Sequence, residues 1–421
     1  MVAIHRETLP PFVVSAPGKA ILFGEHAVVY GKTAIAGSLD MRAYGLVTPR
    51  NDAKLRLVLP DINIDVLFDV HALPRLHADN LGHPGEVEGL VPETIRIPEG
   101  PGRTAVLAFV YLFGCLFAGD RERGFTVCVR SLLPVGSGLG SSAALNVTLA
   151  AALLRLSGQI TEDLSDGDRE LVNSWAFRGE QVAHGTPSGI DNTVATFGGF
   201  LQYTKGQPLV MLSSSHALSV LITNTKVPKS TKAMVEGVRA LRDKYPEIVN
   251  NMLDSIHGIA LRAVELFNQD ELEQQMQDII GMNHGLLATL GVSHPKLERI
   301  REITGAAGLA SKLTGAGGGG CALTFVPNSI VGSRAVAKVA TDLENEGLEC
   351  YQTIVGGAGV SFACGQDSIE LWVRRMLERH LSLVPSGSSK GDLADEFGGI
   401  VSGFSILPGA VIAMLAPRQI H

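Results

Sequence analysis

A loop with three glycines at alternate positions, set between a strand pattern and a helix pattern, constrains this chain more than any other stretch. Pro134–Val147 reads PVGSGLGSSAALNV. Ahead of it, Phe125–Ser131 (FTVCVRS) alternates apolar and polar residues as a half-buried strand does. Behind it, Ala143–Leu156 is rich in Ala and Leu with apolar residues at helical spacing. Gly136, Gly138 and Gly140 remove side chains where backbone N–H groups can approach an anion closely. Ser141 and Ser142 then fall at the helix N-terminus, where free N–H groups and the helix dipole favour a phosphate. A serine hydroxyl there can also ligate Mg²⁺, a hard cation that takes oxygen ligands. Neither familiar nucleotide fingerprint fits. The loop lacks the Gly-Lys-Ser/Thr ending of a Walker loop, and the sixth position counted from Gly136 is Ser141, where the dinucleotide pattern has Gly or Ala. The plainer alternative is a strand-to-helix turn with a serine cap.

Two further stretches shift the balance. They are Ala16–Gly31, APGKAILFGEHAVVYG, and Lys312–Cys321, KLTGAGGGGC. Together with the central loop, in this order, they resemble the three motifs of the GHMP family of small-molecule kinases. The likeness runs from about Val13 to about Ala363. Within the family it leans to the mevalonate kinases, partly through Thr223–Pro228, TNTKVP. The resemblance implies an α+β, two-domain GHMP kinase fold, with an N-terminal ribosomal-protein-S5-like domain, a C-terminal ferredoxin-like domain and the active site in the cleft between them. It implies ATP and Mg²⁺, a small-molecule acceptor (mevalonate, on the way to isoprenoids and sterols) and a homodimer.

The implied site follows position by position. Gly136, Ser137, Gly138, Leu139, Gly140, Ser141 and Ser142 would cradle the ATP phosphates, with Lys19 and Ser131 near the nucleotide. Ser142 and Glu180 would hold Mg²⁺. Asp191 would accept or orient the proton of the attacking hydroxyl, and Lys19 beside it would favour the alkoxide as it forms. Which of the two activates the hydroxyl stays open. Glu25, His26, Lys229 and Thr231 would contact the substrate. Where the family often has arginine two positions before this threonine, the chain has Lys229, which can meet the substrate carboxylate as a point charge but lacks the bidentate fork.

Taken without the resemblance, several of these residues have ordinary readings. Lys19 is a solvated lysine at a Pro17-Gly18 turn, Glu25 and His26 are an internally satisfied pair in an apolar stretch, Asp191 is a helix N-cap, and Glu180 faces solvent. The glycine run Gly315–Gly320 reads alone as a linker, but strand-like segments bound it closely on both sides.

With 421 residues and 45% hydrophobic content, the chain suits two domains. The expected division is 1–213, 214–365 and an extension, 366–421, beyond the family pattern. A net charge of −7 and the lack of a basic tract argue against nucleic acid. The N-terminus has no long apolar run or cleavage pattern, and five scattered cysteines form no Cys-x-x-Cys pair, which together predict a reduced, cytoplasmic protein without a zinc site. His71, His77 and His83 lie in a Gly- and Pro-rich segment, His71–Pro101, read as a surface loop or lid, with no ligand spacing. In the extension, Ile369–Leu383 has helical patterning. The uncharged run Phe397–Pro417 approaches bilayer-spanning length but is interrupted by Pro408 and glycines, so no membrane is expected.

Strands are expected at Phe12–Ala16, Leu55–Leu59, Ile62–Leu67 and Leu218–Asn224, and a strand pair within Cys350–Ala363. Helices are expected at Thr104–Ala118, Arg169–Ala183, Met252–Asn268, Leu272–Leu290 and Ser333–Glu346, with Ser230 or Thr231 capping another. Two alternatives remain at this point. One is another GHMP kinase acting on phosphomevalonate, a sugar or an amino-alcohol. The other is a catalytically silent sensor of ATP and metabolite, for which four intact site residues would be superfluous.

Overall fold

In the computed structural model, the described residues are 9–76, 87–89, 102–117, 124–134, 136–214, 217–267, 269 and 273–365. His77, His83 and everything expected beyond residue 365 lie outside them.

The fold is built on β2 (Thr33–Arg50), a strand of 18 residues buried along most of its length. It pairs with β1 (Phe12–Phe23), β5 (Gly124–Ser131), β6 (Phe200–Thr204) and β11 (Glu349–Val355). Beyond β5 come β3 (Lys54–Leu59) and β4 (Ile64–Asp69), an antiparallel pair joined by a short 3₁₀ turn. Beyond β11 come β8 (Leu218–Asn224), β10 (Cys321–Phe325) and β9 (Ser311–Thr314). The path β4-β3-β5-β2-β11-β8-β10-β9 is therefore one continuous sheet through both halves of the chain. β7 (Val210–Leu212) extends β6, and β12 (Ser361–Cys364) lines β1. The strands expected within Cys350–Ala363 do form, but not as a hairpin: β11 is claimed by β8 and β2, and β12 by β1.

One side of the N-terminal half is covered by α1 (Arg103–Leu116), α2 (Ser141–Leu156), α3 (Asp166–His184) and α4 (Ile190–Phe197). α1 is buried from Val106 to Gly114, and α2 presents Ala143, Ala144, Val147 and Leu149–Leu154 to the core. Small alanines let α2 approach β1 and β2 closely; a Cβ on Gly45 of β2 would lie 2.7 Å from Thr148. The charged turn before α3 is its start, where Ser165 and Asp168 form a reciprocal capping box.

The C-terminal half carries α5 (Thr231–Lys244), α6 (Pro246–Leu266), α7 (Glu273–Thr289), α8 (Pro295–Ala306) and α9 (Arg334–Asn345). Ser230, not Thr231, caps α5 by accepting the Ala233 N–H. α6 is shared between two hydrophobic clusters, giving Ala260, Ala263 and Leu266 to the larger and Val249, Leu253 and Ile256 to the smaller. The larger cluster draws on residues from both sides of position 213. All five cysteines are free, and burial pushes the thiols of Cys128, Cys321 and Cys350 up to about 12. Among the described residues no helix is long and apolar enough to cross a membrane.

Candidate active site

The Pro17-Gly18 dipeptide was expected to turn the chain. Instead β1 runs through it, and the register against β2 shifts between Pro17 and Gly18. A proline has no N–H to give the ladder, and a local bulge absorbs the defect. Lys19 therefore projects from a strand, and its own N–H donates to Leu139 O at 2.9 Å. Gly18 makes that approach possible, because a Cβ there would lie 2.6 Å from the same carbonyl.

The glycine loop is pinned by its non-glycine residues. Ser137 and Leu139 are buried, and Ser137 Oγ donates to Pro134 O at 2.7 Å. Gly136, Gly138 and Gly140 all have left-handed φ, 72°, 80° and 77°, which only glycine adopts without strain. Gly140 is the N-cap of α2 and supplies no side-chain cap, so the first N–H groups of the helix open onto the loop.

Lys19 Nζ lies 3.4 Å from Asp191 Oδ1 and 3.4 Å from Gly138 O. Asp191 is not the N-cap of α4, as its plainest reading had it. Gly189 takes that position with φ of 80°, which turns the chain so that Asp191 sits in the first turn. A Cβ on Gly140 would lie 3.1 Å from Lys19 and 3.8 Å from Asp191 Oδ2. The strand lysine, the α4 carboxylate and the loop therefore share one small volume.

Glu180 is buried rather than solvent-facing. Its Oε1 accepts from Ser142 Oγ at 2.7 Å and from Asn146 Nδ2 at 2.6 Å. Its Oε2 is 3.9 Å from His184 Nε2, which is also 3.1 Å from Ser142 Oγ. Among the described residues no lysine or arginine lies within ion-pair distance of this carboxylate. A buried carboxylate beside a serine hydroxyl offers hard oxygen ligands that fit a divalent cation of the Mg²⁺ type, with the exposed His184 imidazole at the edge of the pair. Asn146 and His184 were missed in the sequence. The available signal was spacing: Asn146 is four residues after Ser142 on α2, and His184 four after Glu180 on α3.

Glu25 is different. Oε1 pairs with Lys312 and Oε2 accepts from Asn283 Nδ2 at 3.2 Å, and the Glu25 and Lys312 side chains are 1% and 0% exposed. Glu25 is thus satisfied internally, by Lys312 and Asn283 rather than by its neighbour His26, and is not open to a substrate here. His26, at φ of 60°, directs Nε2 to Ala316 O in the second glycine run at 2.9 Å, and burial pushes its pKa down. The run Gly315–Gly320 thus turns back beside the first motif rather than acting as a linker. Lys229 does not point to an open substrate position; its Nζ donates to Ser137 O at 3.0 Å. Thr231 is exposed at the first position of α5. Ser131 ends β5, where its N–H donates to Asp61 at 2.7 Å. No hydrogen bond among the described residues joins Ser131 or Thr231 to Lys19 or Asp191.

Comparison with known proteins establishes the family of the chain. The family profile described as GHMP kinases N terminal domain matches residues 104–199, and that described as GHMP kinases C terminal matches residues 260–345. Human mevalonate kinase is 41% identical over 375 residues, covering 83% of this chain and 94% of the human protein. Mevalonate kinase of Arabidopsis thaliana is 36% identical over 383 residues, covering 82% of this chain and 97% of the plant protein. The solved L. major mevalonate kinase in complex with R-mevalonate is similar at a TM-score of 0.64 and 25% identity, over 82% of this chain and 96% of that one. The Methanococcus jannaschii mevalonate kinase shares the fold at a TM-score of 0.64 and 23% identity, over 84% of this chain and all of that one. The chain belongs to the GHMP kinases, among the mevalonate kinases of that family.

Proposed function

We propose that this chain transfers the γ-phosphoryl group of ATP to the 5-hydroxyl of (R)-mevalonate, giving ADP and 5-phosphomevalonate. The observation that carries this reading is the meeting of Lys19 and Asp191, 3.4 Å apart, against the glycine loop of a chain 41% identical to human mevalonate kinase. Phosphoryl transfer asks for positioning and charge neutralisation more than covalent chemistry. Asp191 accepts or orients the hydroxyl proton. The Lys19 ammonium, held between Asp191 and Gly138 O, offsets the charge that grows on the attacking oxygen. The backbone of Gly136–Ser142 receives the phosphates, and Ser142 and Glu180 hold Mg²⁺, with Asn146 orienting the Glu180 carboxylate. Bound there, Mg²⁺ neutralises phosphate charge. The family resemblance supports His26 and Thr231 as the acceptor contacts. We further propose a cytoplasmic homodimer that needs neither nucleic acid nor membrane.

An ADP-release assay over mevalonate, phosphomevalonate, galactose and homoserine tests the reading. Mevalonate should give the highest kcat/KM by at least about a hundredfold. A faster rate with any of the other three overturns the substrate assignment, and no ADP release with any of them overturns the kinase.

A further inference from the structure

Two ammonium groups converge on the glycine loop, and only one has a carboxylate. Lys19 comes from β1 and donates to Gly138 O at 3.4 Å. Lys229 comes from the segment ahead of α5, in the other half of the chain, and donates to the preceding carbonyl, Ser137 O, at 3.0 Å. Lys19 is matched by Asp191. Among the described residues no carboxylate lies within ion-pair distance of Lys229. Burial pushes the Lys229 ammonium down, the nearby Cys321 works the other way, and the like charge of Lys19 adds to the lowering.

The passage that Lys229 occupies is made by glycines from two separate motifs. A Cβ at Gly138 would lie 2.5 Å from Lys229 Nζ, and one at Gly320 would lie 2.6 Å away. Both glycines have left-handed φ, 80° and 69°. Any side chain at either place would block the ammonium from the loop. The result is two positive charges and one negative charge at the mouth of a loop whose backbone suits oxyanions. An ammonium has three N–H groups, so one on Ser137 O leaves two for a ligand.

We propose that Lys229 and Lys19 form a two-ammonium clamp for the terminal phosphate of the nucleotide, so that Lys229 binds phosphate rather than the carboxylate of the acceptor. This deepens the kinase reading, on which the acceptor side of the argument rests. Lysine suits the task, because a compact point charge can follow a phosphoryl group as it moves from donor to acceptor oxygen.

The test is an equilibrium titration of the full chain with AMP-PNP and with ADP in the presence of Mg²⁺, comparing wild type with Lys229→Met and Lys229→Arg. Lys229→Met should weaken AMP-PNP at least about tenfold, and ADP, which lacks the terminal phosphate, clearly less. The KM for mevalonate should change less than about twofold, and Lys229→Arg should recover most of the AMP-PNP affinity. Unchanged AMP-PNP affinity with a raised KM for mevalonate overturns the proposal in favour of the carboxylate contact. Equal loss for AMP-PNP and ADP overturns it too, since the terminal phosphate would then be irrelevant. Should Lys229→Met not fold, Lys229→Gln serves in the same titration. The titration contains no acceptor, so a wild-type enzyme that ignores mevalonate would sink the substrate assignment without touching this result.

Discussion

Residue by residue, the site separates groups that do chemistry from groups that hold it in place. Asp191 is on the chemical side: half exposed at a helix start, with Lys19 3.4 Å away. Replacing Asp191 by Asn keeps the size and removes the proton acceptor. We expect kcat to fall by about 10²–10⁴ while AMP-PNP affinity changes little, as steady-state kinetics and a binding titration would show. A turnover within a factor of about two of wild type would remove Asp191 from that role. Glu25 is on the structural side, because Lys312 and Asn283 satisfy both its oxygens. Glu25→Gln leaves the Lys312 ammonium buried without its counter-charge, which costs about 3–5 kcal/mol, and the double change Glu25→Gln with Lys312→Met should recover most of it. Urea unfolding of the three variants decides this; a loss under about 1 kcal/mol for Glu25→Gln would mean that water or substrate reaches the pair. The sequence made the types of these residues legible but not their partners. Glu25-His26 in an apolar stretch demands satisfaction, yet Lys312 is 287 positions away, and no local pattern points from one to the other.

At the level of helices and strands, local signals and tertiary demands pull apart in instructive ways. The loop and α2 were legible because glycine positions and apolar spacing agree there, although the expected serine cap is replaced by Gly140. Pro17-Gly18 was not, since local turn chemistry was overruled by the pairing of β1 with β2 on both sides of it. The strands within Cys350–Ala363 were legible as strands, but their partners are set by the sheet and not by adjacency. A three-element junction gives a further prediction. His284 of α7 accepts the Leu313 N–H of β9 on Nδ1 at 3.1 Å, so Nε2 carries the proton that it donates to Glu298 of α8 at 2.8 Å. Burial pushes His284 below its ordinary 6.5. Burial works to raise Glu298, but hydrogen bonds from His284, Ser293 and Arg301 hold it at about 2. A histidine whose folded pKa lies below its unfolded value leaves the unfolded chain holding more protons, so stability falls as pH drops through about 6.5. The Glu298 contribution is retained until pH falls below about 4.5 and is lost toward 2. Urea midpoints at about pH 7.5 and about pH 5.5 should therefore differ, with the acid value lower. His284→Asn, which keeps an acceptor for the Leu313 N–H and does not titrate, should reduce that difference and leave the share of His26, whose pKa burial also lowers; an unchanged slope would place the proton uptake elsewhere.

For the molecule as a whole, the issue is whether two halves behave as two units. The sequence suggested a division after residue 213, ahead of the buried strand Leu218–Asn224. Packing argues for mechanical continuity instead. β11, from the end of the chain, lies between β2 and β8, meeting β2 where Val355 pairs with Leu39. A Cβ on Gly37 of β2 would collide with Val355, so glycine is needed for that closeness. α6 feeds both hydrophobic clusters, and Phe267, just past its end, stacks on Phe200 of β6 with ring centroids 4.3 Å apart. The site depends on the same continuity, because Lys229 and the Gly315–Gly320 run reach it from one half and Lys19, Ser142, Glu180 and Asp191 from the other. Calorimetry should therefore show one unfolding transition. Leu253→Ala, in the smaller cluster, removes a fully buried leucine and should cost about 2–5 kcal/mol. If the halves are one unit, that cost lowers the single transition and leaves its shape intact. If they are two, a second transition emerges at the lower temperature while the original stays in place. AMP-PNP at about a hundredfold over its Kd adds about 2.7 kcal/mol to whatever unfolds with the site. It should therefore raise the whole transition in the wild type and oppose the Leu253→Ala loss, although Leu253 belongs to the smaller cluster and Leu139 of the glycine loop to the larger. A variant whose lowered transition ignored the nucleotide would show that the smaller cluster melts independently of the site.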